Sequence, residues 1–163
     1  VSAIVAAIVL IGDQLSKHWA ETWLRTNGEY KIWDGVLHLR YVENRGAAFG
    51  MMQGGKWFFL AITGIACAAM LYFLIKERKR LHFMMTFSLA LLLSGAIGNL
   101  IDRVALGYVR DMIYVALIDF AVFNVADMAV TVGCCLLVLD LLFFKGKKYM
   151  EMMDKKPQTG ENS

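Results

Sequence analysis

Two aspartates are the residues best placed for chemistry. Asp111 and Asp127 flank the start of the last membrane-length apolar run of the chain. A carboxyl group beside hydrocarbon is costly, and inside a membrane protein it marks a functional site by default. Two such groups side by side can share one proton and activate a water molecule. The pair therefore predicts a membrane-embedded hydrolase, provided that the fold brings the two side chains together.

Other kinds of catalytic site are not indicated by the sequence. The three histidines are scattered, and none is placed with a serine or cysteine nucleophile. No His-Glu-x-x-His or Cys-x-x-Cys spacing occurs, so we expect neither a metal nor a cofactor. Cys67, Cys134 and Cys135 lie inside apolar runs and are expected to act as small apolar residues. Two carboxyl groups with different pKa values would suffice, since one takes a proton from water while the other, protonated, polarises a carbonyl.

The composition requires a membrane. Of the 163 residues, 58% are hydrophobic and one is proline, and the mean hydropathy is +0.52. That is too apolar for a soluble domain and long enough for one domain only. The first apolar run leads into charged residues without a small-residue cleavage site, so we expect a retained helix. The predicted fold class is an all-α membrane protein with four transmembrane helices, over about 1–23, 57–75, 81–101 and 125–144.

Clusters of positive charge predict the orientation. The link 76–80 holds four basic residues in five, and the tail after residue 144 carries five lysines. Such clusters mark the cytoplasmic side, so both termini are expected to be cytoplasmic. We predict one integral membrane domain over 1–148 and a disordered tail over 149–163. Asp140, near the cytoplasmic end, is expected to pair with Lys145.

The remaining polar segments then meet at the outer boundary of the membrane. The loops 24–56 and 104–122 become external, and residues 37–41 alternate between apolar and polar side chains, which predicts a strand. Residues 33–35 read as a turn before it. We expect a small extracytoplasmic β-element in an amphipathic loop, while the structure of 104–122 is left open. The loop is a candidate lid over a lipid, on the strength of Trp33, Leu37, Leu39 and Phe49.

Several other residues could line or support a site here. The candidates for substrate binding are Asp13, Lys17, Asn44, Gly46, Asn99, Arg103 and Asn124.

Several of them have an ordinary alternative. Asp13 and Lys17, four apart on a helix, would form an intrahelical ion pair. Arg103 would pair with Asp102, and Asn44 would close a turn.

The two aspartates have alternatives as well. Asp127 would be an acid at a helix N-terminus capped by Asn124. Asp111 would be a plain loop acid, with Asp119 as a rival partner for Asp127.

Five motifs in order resemble those of bacterial lipoprotein signal peptidase, also called signal peptidase II. They are Asp13-Gln14-x-x-Lys17, Asn44-Arg45-Gly46-Ala47-Ala48-Phe49, Gly98-Asn99-x-x-Asp102-Arg103, Gly107-Tyr108-Val109-Arg110-Asp111 and Phe123-Asn124-Val125-Ala126-Asp127. The resemblance covers about residues 9–130.

The resemblance implies an aspartyl endopeptidase of the bacterial inner membrane. Such an enzyme removes signal peptides from prolipoproteins on the amino side of a diacylglyceryl-modified cysteine, and it implies Asp111 and Asp127 as the catalytic pair. The implied partners are the lipid-modified substrate and membrane lipids, without nucleic acid, and we expect a monomer. One departure is Arg110, where the family more often has a small or apolar residue. A cation there is expected to lower the pKa of Asp111.

Two other classes of protein remain to be separated from a peptidase. A proton-coupled carrier would also use intramembrane Asp, Lys and Asn, but the inner halves of the second and third spans offer almost no polar groups. No inverted repeat relates residues 1–75 to 81–144. A lipid-binding scaffold would tolerate the loss of either aspartate.

Overall fold

Helices and a small sheet make up the computed structural model, which describes residues 2–46 and 56–144. The helices are α1 (Ser2–Trp19), α2 (Arg25–Asn27), α3 (Lys56–Glu77), α4 (Phe83–Ala105) and α5 (Val125–Phe143). The strands are β1 (Tyr30–Trp33), β2 (Leu37–Asn44) and β3 (Val109–Val115). A π-helical turn, Ala20–Leu24, joins α1 to α2.

Three of the helices are long and apolar enough to cross a membrane, over Trp57–Glu77, Phe83–Ala105 and Val125–Phe143. They correspond to the second, third and fourth predicted spans. The first predicted span is helical as expected, but Asp13 and Lys17 interrupt its apolar sequence. The fourth crossing therefore stays a prediction.

The centre of the bundle is α4, which contacts α1, α3 and α5. Small residues allow α4 and α5 to approach closely, as is common in membrane helix pairs. A Cβ atom added to Gly95 would lie 2.4 Å from the backbone oxygen of Ala126. One added to Gly133 would lie 2.9 Å from the oxygen of Ser88. These glycines set the distance between the two helices.

Gly95→Ala is expected to destabilise the protein by about 1–3 kcal/mol, because the added methyl group forces α4 and α5 apart. The measurement is thermal unfolding in detergent. Gly64→Ala on α3 is the matched control, since a Cβ there meets nothing within 4 Å. Equal melting temperatures for the two variants would contradict this packing.

The sheet lies at the end of the bundle formed by the C-terminal ends of α1 and α4 and the N-terminal end of α5; we call this the sheet end. Its antiparallel strand order is β1-β2-β3. The predicted strand at 37–41 and the turn at 33–35 are confirmed, with the Val36 N–H donating to the Trp33 oxygen at 2.9 Å. No structure was predicted for 104–122, and β3 accounts for seven of its residues.

Contacts between the sheet and the helices fix the position of β3. Met112 packs on Ala20 and Leu24 of the π-helical turn. After β3 the chain turns back, and Phe123 exchanges backbone hydrogen bonds with Ile113 at 2.8 and 3.0 Å. This bridge brings the start of α5 beside β3.

The opposite end of the bundle holds another buried acidic residue, Asp140. Asp140 was expected to pair with Lys145, which lies outside the described residues, and to lie near the surface. It is instead fully buried, and its carboxylate lies 2.9 Å from Nε2 of His82. The reason is packing: Asp140 lies on the face of α5 that meets the start of α4, among Met85, Leu89 and their apolar neighbours.

Candidate active site

The structure brings Asp111 and Asp127 to opposite sides of one asparagine, Asn124. The Asn124 side-chain amide donates to Oδ1 of Asp111 at 2.6 Å. The backbone N–H of Asn124 donates to Oδ2 of Asp127 at 3.2 Å, and the Asp127 N–H donates to the Asn124 side-chain oxygen at 2.9 Å. These last two bonds form a capping box at the start of α5. Asn124 is therefore the helix cap that the sequence suggested, and the same hydrogen bonds orient the carboxyl group of Asp127.

Two further asparagines complete a set of amide donors around the pair. Asn44 donates to Oδ2 of Asp111 at 3.1 Å, and Asn99 donates to Oδ1 of Asp127 at 2.7 Å. Each of the four carboxyl oxygens therefore accepts a hydrogen bond. Neutral donors hold the carboxyl groups in place without fixing their charge, which suits groups that must gain and lose a proton.

Strand register explains how Asn44 reaches Asp111. Asn44 of β2 is opposite Val109 of β3, and Val42 is opposite Asp111. The diagonal neighbours Asn44 and Asp111 therefore lie on the same face of the sheet, within reach of each other. The sequence could not show this, because β3 was not recognised as a strand.

The predicted ion pair between Asp13 and Lys17 is confirmed, with 2.9 Å between Nζ and Oδ2. Both side chains are fully buried. Lys17 also donates to the side-chain oxygen of Asn99 at 2.9 Å, which turns the Asn99 amide group toward Asp127. Asp13 accepts from the Ala126 N–H at 2.9 Å and so stabilises the N-terminus of α5. These two residues support the site from behind and are not on its surface.

Gly98 makes room for that support. A Cβ atom there would lie 2.6 Å from Oδ2 of Asp13. Glycine at this position therefore allows a charge on α1 to reach the start of α5 across α4.

Arg103 does not pair with Asp102. Its guanidinium donates to the backbone oxygen of Gly46 at 3.3 Å and lies 5.2 Å from the ring centre of Phe59. Asp102 is fully buried and binds Lys17 and Arg110 instead. The structure thus places Arg103 and Gly46 at the edge of the site, while Ala47, Ala48 and Phe49 lie outside the described residues.

The expectation for Arg110 was wrong. Its guanidinium binds Asp102 at 2.8 Å and Glu21 at 2.9 Å, and it does not contact Asp111. Burial, followed by the neighbouring charge of Asp127, raises the pKa of Asp111 to about 7. Arg110 does not contact Asp111 because adjacent residues of a strand point to opposite faces.

Two cavities meet at the acid pair. The larger, about 580 Å³, has mostly apolar walls and includes Asp127. The smaller, about 350 Å³, is more polar and includes Asp111. Asn44 and the segment 120–122 line both. The larger is also lined by Asn99, Arg103, Val109, Phe123, Met128, Val130, Thr131 and Val132, and the smaller by Arg40, Val42, Glu43, Arg45, Tyr114 and Asp119.

Asp119, the rival partner for Asp127, lies in an exposed turn. The Tyr114 hydroxyl donates to its carboxylate at 2.6 Å. It lines the smaller cavity, and within the described residues no hydrogen bond joins it to either acid of the pair. Within residues 2–46 and 56–144, no three His, Cys, Asp or Glu side chains are grouped so as to hold a metal ion.

Comparisons with known proteins show which family this chain belongs to. The model of the signal peptidase (SPase) II family matches residues 5–143. The lipoprotein signal peptidase of Streptococcus thermophilus is 47% identical over 138 residues, which is 84% of this chain and 90% of that protein. That of Clostridioides difficile is 43% identical over 145 residues, or 88% and 97%.

Solved structures give the same result. A bacterial membrane enzyme determined by the in meso method at 2.3 Å resolution superposes with a TM-score of 0.80 at 33% identity, covering 98% of this chain and 94% of that one. A second, at 1.9 Å resolution, has a TM-score of 0.77 at 36% identity and covers 87% and 92%. With its membrane-length helices, its buried acids and a family match over most of its length, this chain belongs to the signal peptidase II family, and it is a bacterial membrane peptidase.

Proposed function

We propose that this protein is an aspartyl endopeptidase that cleaves diacylglyceryl-modified prolipoproteins on the amino side of the lipidated cysteine. The observation that carries the proposal is the position of Asp111 and Asp127 on either side of Asn124. Two carboxyl groups, one buried and one half-buried, are held by one residue and supply both the base and the acid that amide hydrolysis needs.

In the proposed reaction the pair shares one proton. The ionised carboxylate takes a proton from a water molecule, and the water oxygen attacks the carbonyl carbon of the scissile bond. The protonated partner donates to the carbonyl oxygen, and a proton then passes to the leaving nitrogen as the C–N bond breaks. The amide donors of Asn44, Asn99 and Asn124 keep the carboxyl groups aimed at this water. The pair titrates as a unit, so neither role is assigned to one acid alone.

The two cavities suit the two halves of such a substrate. The apolar walls of the larger cavity fit the apolar part of a lipid-modified precursor, and the polar walls of the smaller cavity fit the residues that follow the cleavage site. Asp127 lines the first and Asp111 the second, so a bond at their junction would face both acids.

The proposed orientation places the sheet end at the extracytoplasmic face of the bacterial cytoplasmic membrane. Arg78, Lys79 and Arg80 lie at the opposite end, between α3 and α4, where positive charge favours the cytoplasm. With α1 as a fourth span, both termini would be cytoplasmic. Acyl chains of the substrate then stay in the outer leaflet during cleavage.

The test uses the purified protein in micelles with a diacylglyceryl-modified precursor peptide, and mass spectrometry identifies the products. We expect cleavage before the modified cysteine, unchanged by a metal chelator. The control is the same peptide with serine in place of the cysteine, which carries no lipid and should stay intact. Equal cleavage of both peptides, or loss of activity with chelator, would overturn the proposal.

The rate should depend on pH in the direction set by Asp111. Burial and the charge of Asp127 raise the pKa of Asp111 to about 7, so the pair keeps its shared proton below this pH and loses it above. Since the protonated carboxyl is the acid of the reaction, kcat should fall as the pH rises through about 7. Measuring kcat between pH 5 and pH 9, roughly the range in which side chains with shifted pKa values titrate, checks this. A rate that rises steadily toward pH 9 would contradict a shared proton.

A further inference from the structure

Arg110 forms hydrogen bonds with several structural elements around the site. Its guanidinium donates to Asp102 of α4 through Nε at 3.2 Å and Nη2 at 2.8 Å. It also donates to Glu21 of the π-helical turn at 2.9 Å and to the side-chain oxygen of Gln14 of α1 at 3.2 Å. One side chain of β3 therefore ties this strand to α1, α4 and the π-helical turn.

The backbone of Arg110 is held as firmly as its side chain. The Arg110 N–H donates to Oδ2 of Asp102 at 3.0 Å, and the Arg110 carbonyl oxygen accepts from the Asn124 amide at 3.4 Å. That same amide donates to Asp111. The position of the residue next to Asp111 is thus set by both α4 and the start of α5.

Arg110 also balances the buried charge behind the acid pair. Asp13 and Asp102 carry two negative charges and Lys17 carries one positive charge, all fully buried. Arg110 supplies the second positive charge, so this group of four is neutral. The other charged residues that face it are Glu21, which binds the outer side of Arg110, and the pair Asp111 and Asp127. The charge of Arg103 also interacts with Asp102 and with both acids of the pair.

We propose that Arg110 is a positioning residue for Asp111. Arg110 keeps Asp111 next to Asn124, and it neutralises the charge of Asp102. Lys17 therefore remains bound to Asn99. This inference rests on the proposed function only for its kinetic consequences. Arg110 contacts neither cavity, and it acts on the reaction through Asp102, Asn124 and Lys17.

Two substitutions separate the geometric from the electrostatic part. Arg110→Lys keeps the charge but loses the bidentate contact with Asp102, so kcat should fall about tenfold with little change in KM and no shift of the pH profile. Arg110→Met also leaves Asp102 without its partner, and Lys17 must then serve both Asp13 and Asp102. Here kcat should fall about 100-fold, and the fall of kcat with rising pH should move to higher pH.

The experiment compares kcat, KM and the pH profile of the native protein, the two Arg110 variants and Arg25→Met. Arg25 is the control because its guanidinium is mostly exposed and lies at the surface, 3.6 Å from Glu43 and 5.8 Å from the ring centre of Tyr41. We expect Arg25→Met to behave as the native protein. Arg110 variants with native kcat, or with an equal loss and an unchanged pH profile in both, would overturn the inference.

A second measurement does not depend on activity. Infrared titration of the carboxyl band that disappears in Asp111→Asn reports the protonation of Asp111 directly. The band should titrate at higher pH in Arg110→Met than in the native protein, while Arg110→Lys should leave it in place. An unchanged titration in Arg110→Met would overturn the inference even if the protein cleaved no lipidated peptide, whereas failure of cleavage by the native protein alone would count against the proposed function.

Discussion

Asp127→Asn is expected to lower kcat for a lipidated precursor by about 10³-fold or more, with the protein still folded, and Asp111→Asn should do the same. An amide cannot take a proton from water, and it has one acceptor oxygen where the carboxylate has two. Asp127 now accepts from both Asn99 and Asn124, so an amide must also lose one of these bonds. The rate of precursor cleavage in micelles measures the effect, and the melting temperature shows that folding is retained.

The matched control is Asp34→Asn, the same change at an exposed acid of the sheet end. Asp34 binds Lys31 at 2.8 Å on the surface. This change should not lower kcat more than about twofold, since exposed ion pairs contribute little. Full cleavage by either variant of the pair, or an equal loss in a control, would contradict the assignment of the two acids.

Lys17→Met should have the largest effect on stability, lowering the free energy of unfolding by about 3–5 kcal/mol. The ammonium group is fully buried and lies 2.9 Å from Asp13 and 3.5 Å from Asp102. Removing it leaves two buried carboxylates, Asp13 and Asp102, with Arg110 as the remaining cation of the cluster. Denaturant unfolding in detergent measures the loss, and kcat should fall too because Asn99 loses the contact that orients it.

Lys76→Met at the end of α3 is the control, since its ammonium lies at the surface beside Tyr72. We expect it to change stability by less than about 1 kcal/mol. Adding Asp13→Asn to Lys17→Met should recover part of the loss, because one uncompensated charge is then gone. A loss under about 1 kcal/mol for Lys17→Met itself would mean that the buried cluster is hydrated like a surface ion pair.

Apolar run length predicted the helices closely because hydrocarbon burial has few alternatives in a membrane. The second span was expected over 57–75, and α3 runs over Lys56–Glu77. The third was expected to end at 101, yet α4 continues to Ala105. The extra turn is stable because Asp102, which would be costly at a helix end in lipid, is neutralised by Lys17 and Arg110. Partners so distant in sequence cannot be identified from local pattern.

The sequence predicted most residues of the candidate site but not the contacts between them. Motif resemblance supplied both acids and the asparagines, and the structure brings Asn44, Asn99 and Asn124 into contact with the acids. Which residue holds which acid depends on strand register and helix packing, and neither is encoded in residue type. The strand β3 is buried along its first four residues, so the alternation that revealed β2 is missing there.

The lid hypothesis illustrates the same limit. Trp33 lies at the exposed end of β1, while Leu37 and Leu39 lie in β2, partly buried. Leu39 packs against the apolar cluster of Ala20, Leu24 and Met112. Phe49 is outside the described residues. A residue fixed in a sheet core does not move as part of a lid, so only the exposed edge of this element keeps that role as a prediction.

Arg110 is adjacent to Asp111 in sequence but does not contact it. Proximity along the chain suggested a direct effect on the pKa of Asp111. The strand directs the guanidinium to the opposite face, where it neutralises Asp102. Because its charge is neutralised there, the cation does not offset the burial that raises the pKa of Asp111, so this carboxyl group can hold a proton near neutral pH.

The most direct test of the central claim, that Asp111 and Asp127 share one proton, is the infrared titration of the Asp111 carboxyl in the native protein and in Asp127→Asn. If the two groups form one site, the pKa of Asp111, about 7 in the native protein, must fall when the charge of Asp127 is removed, because a like charge no longer opposes its ionisation. The account predicts that lower value. An Asp111 band that titrates at the same pH in both proteins would show that the acids do not interact, and would contradict the account.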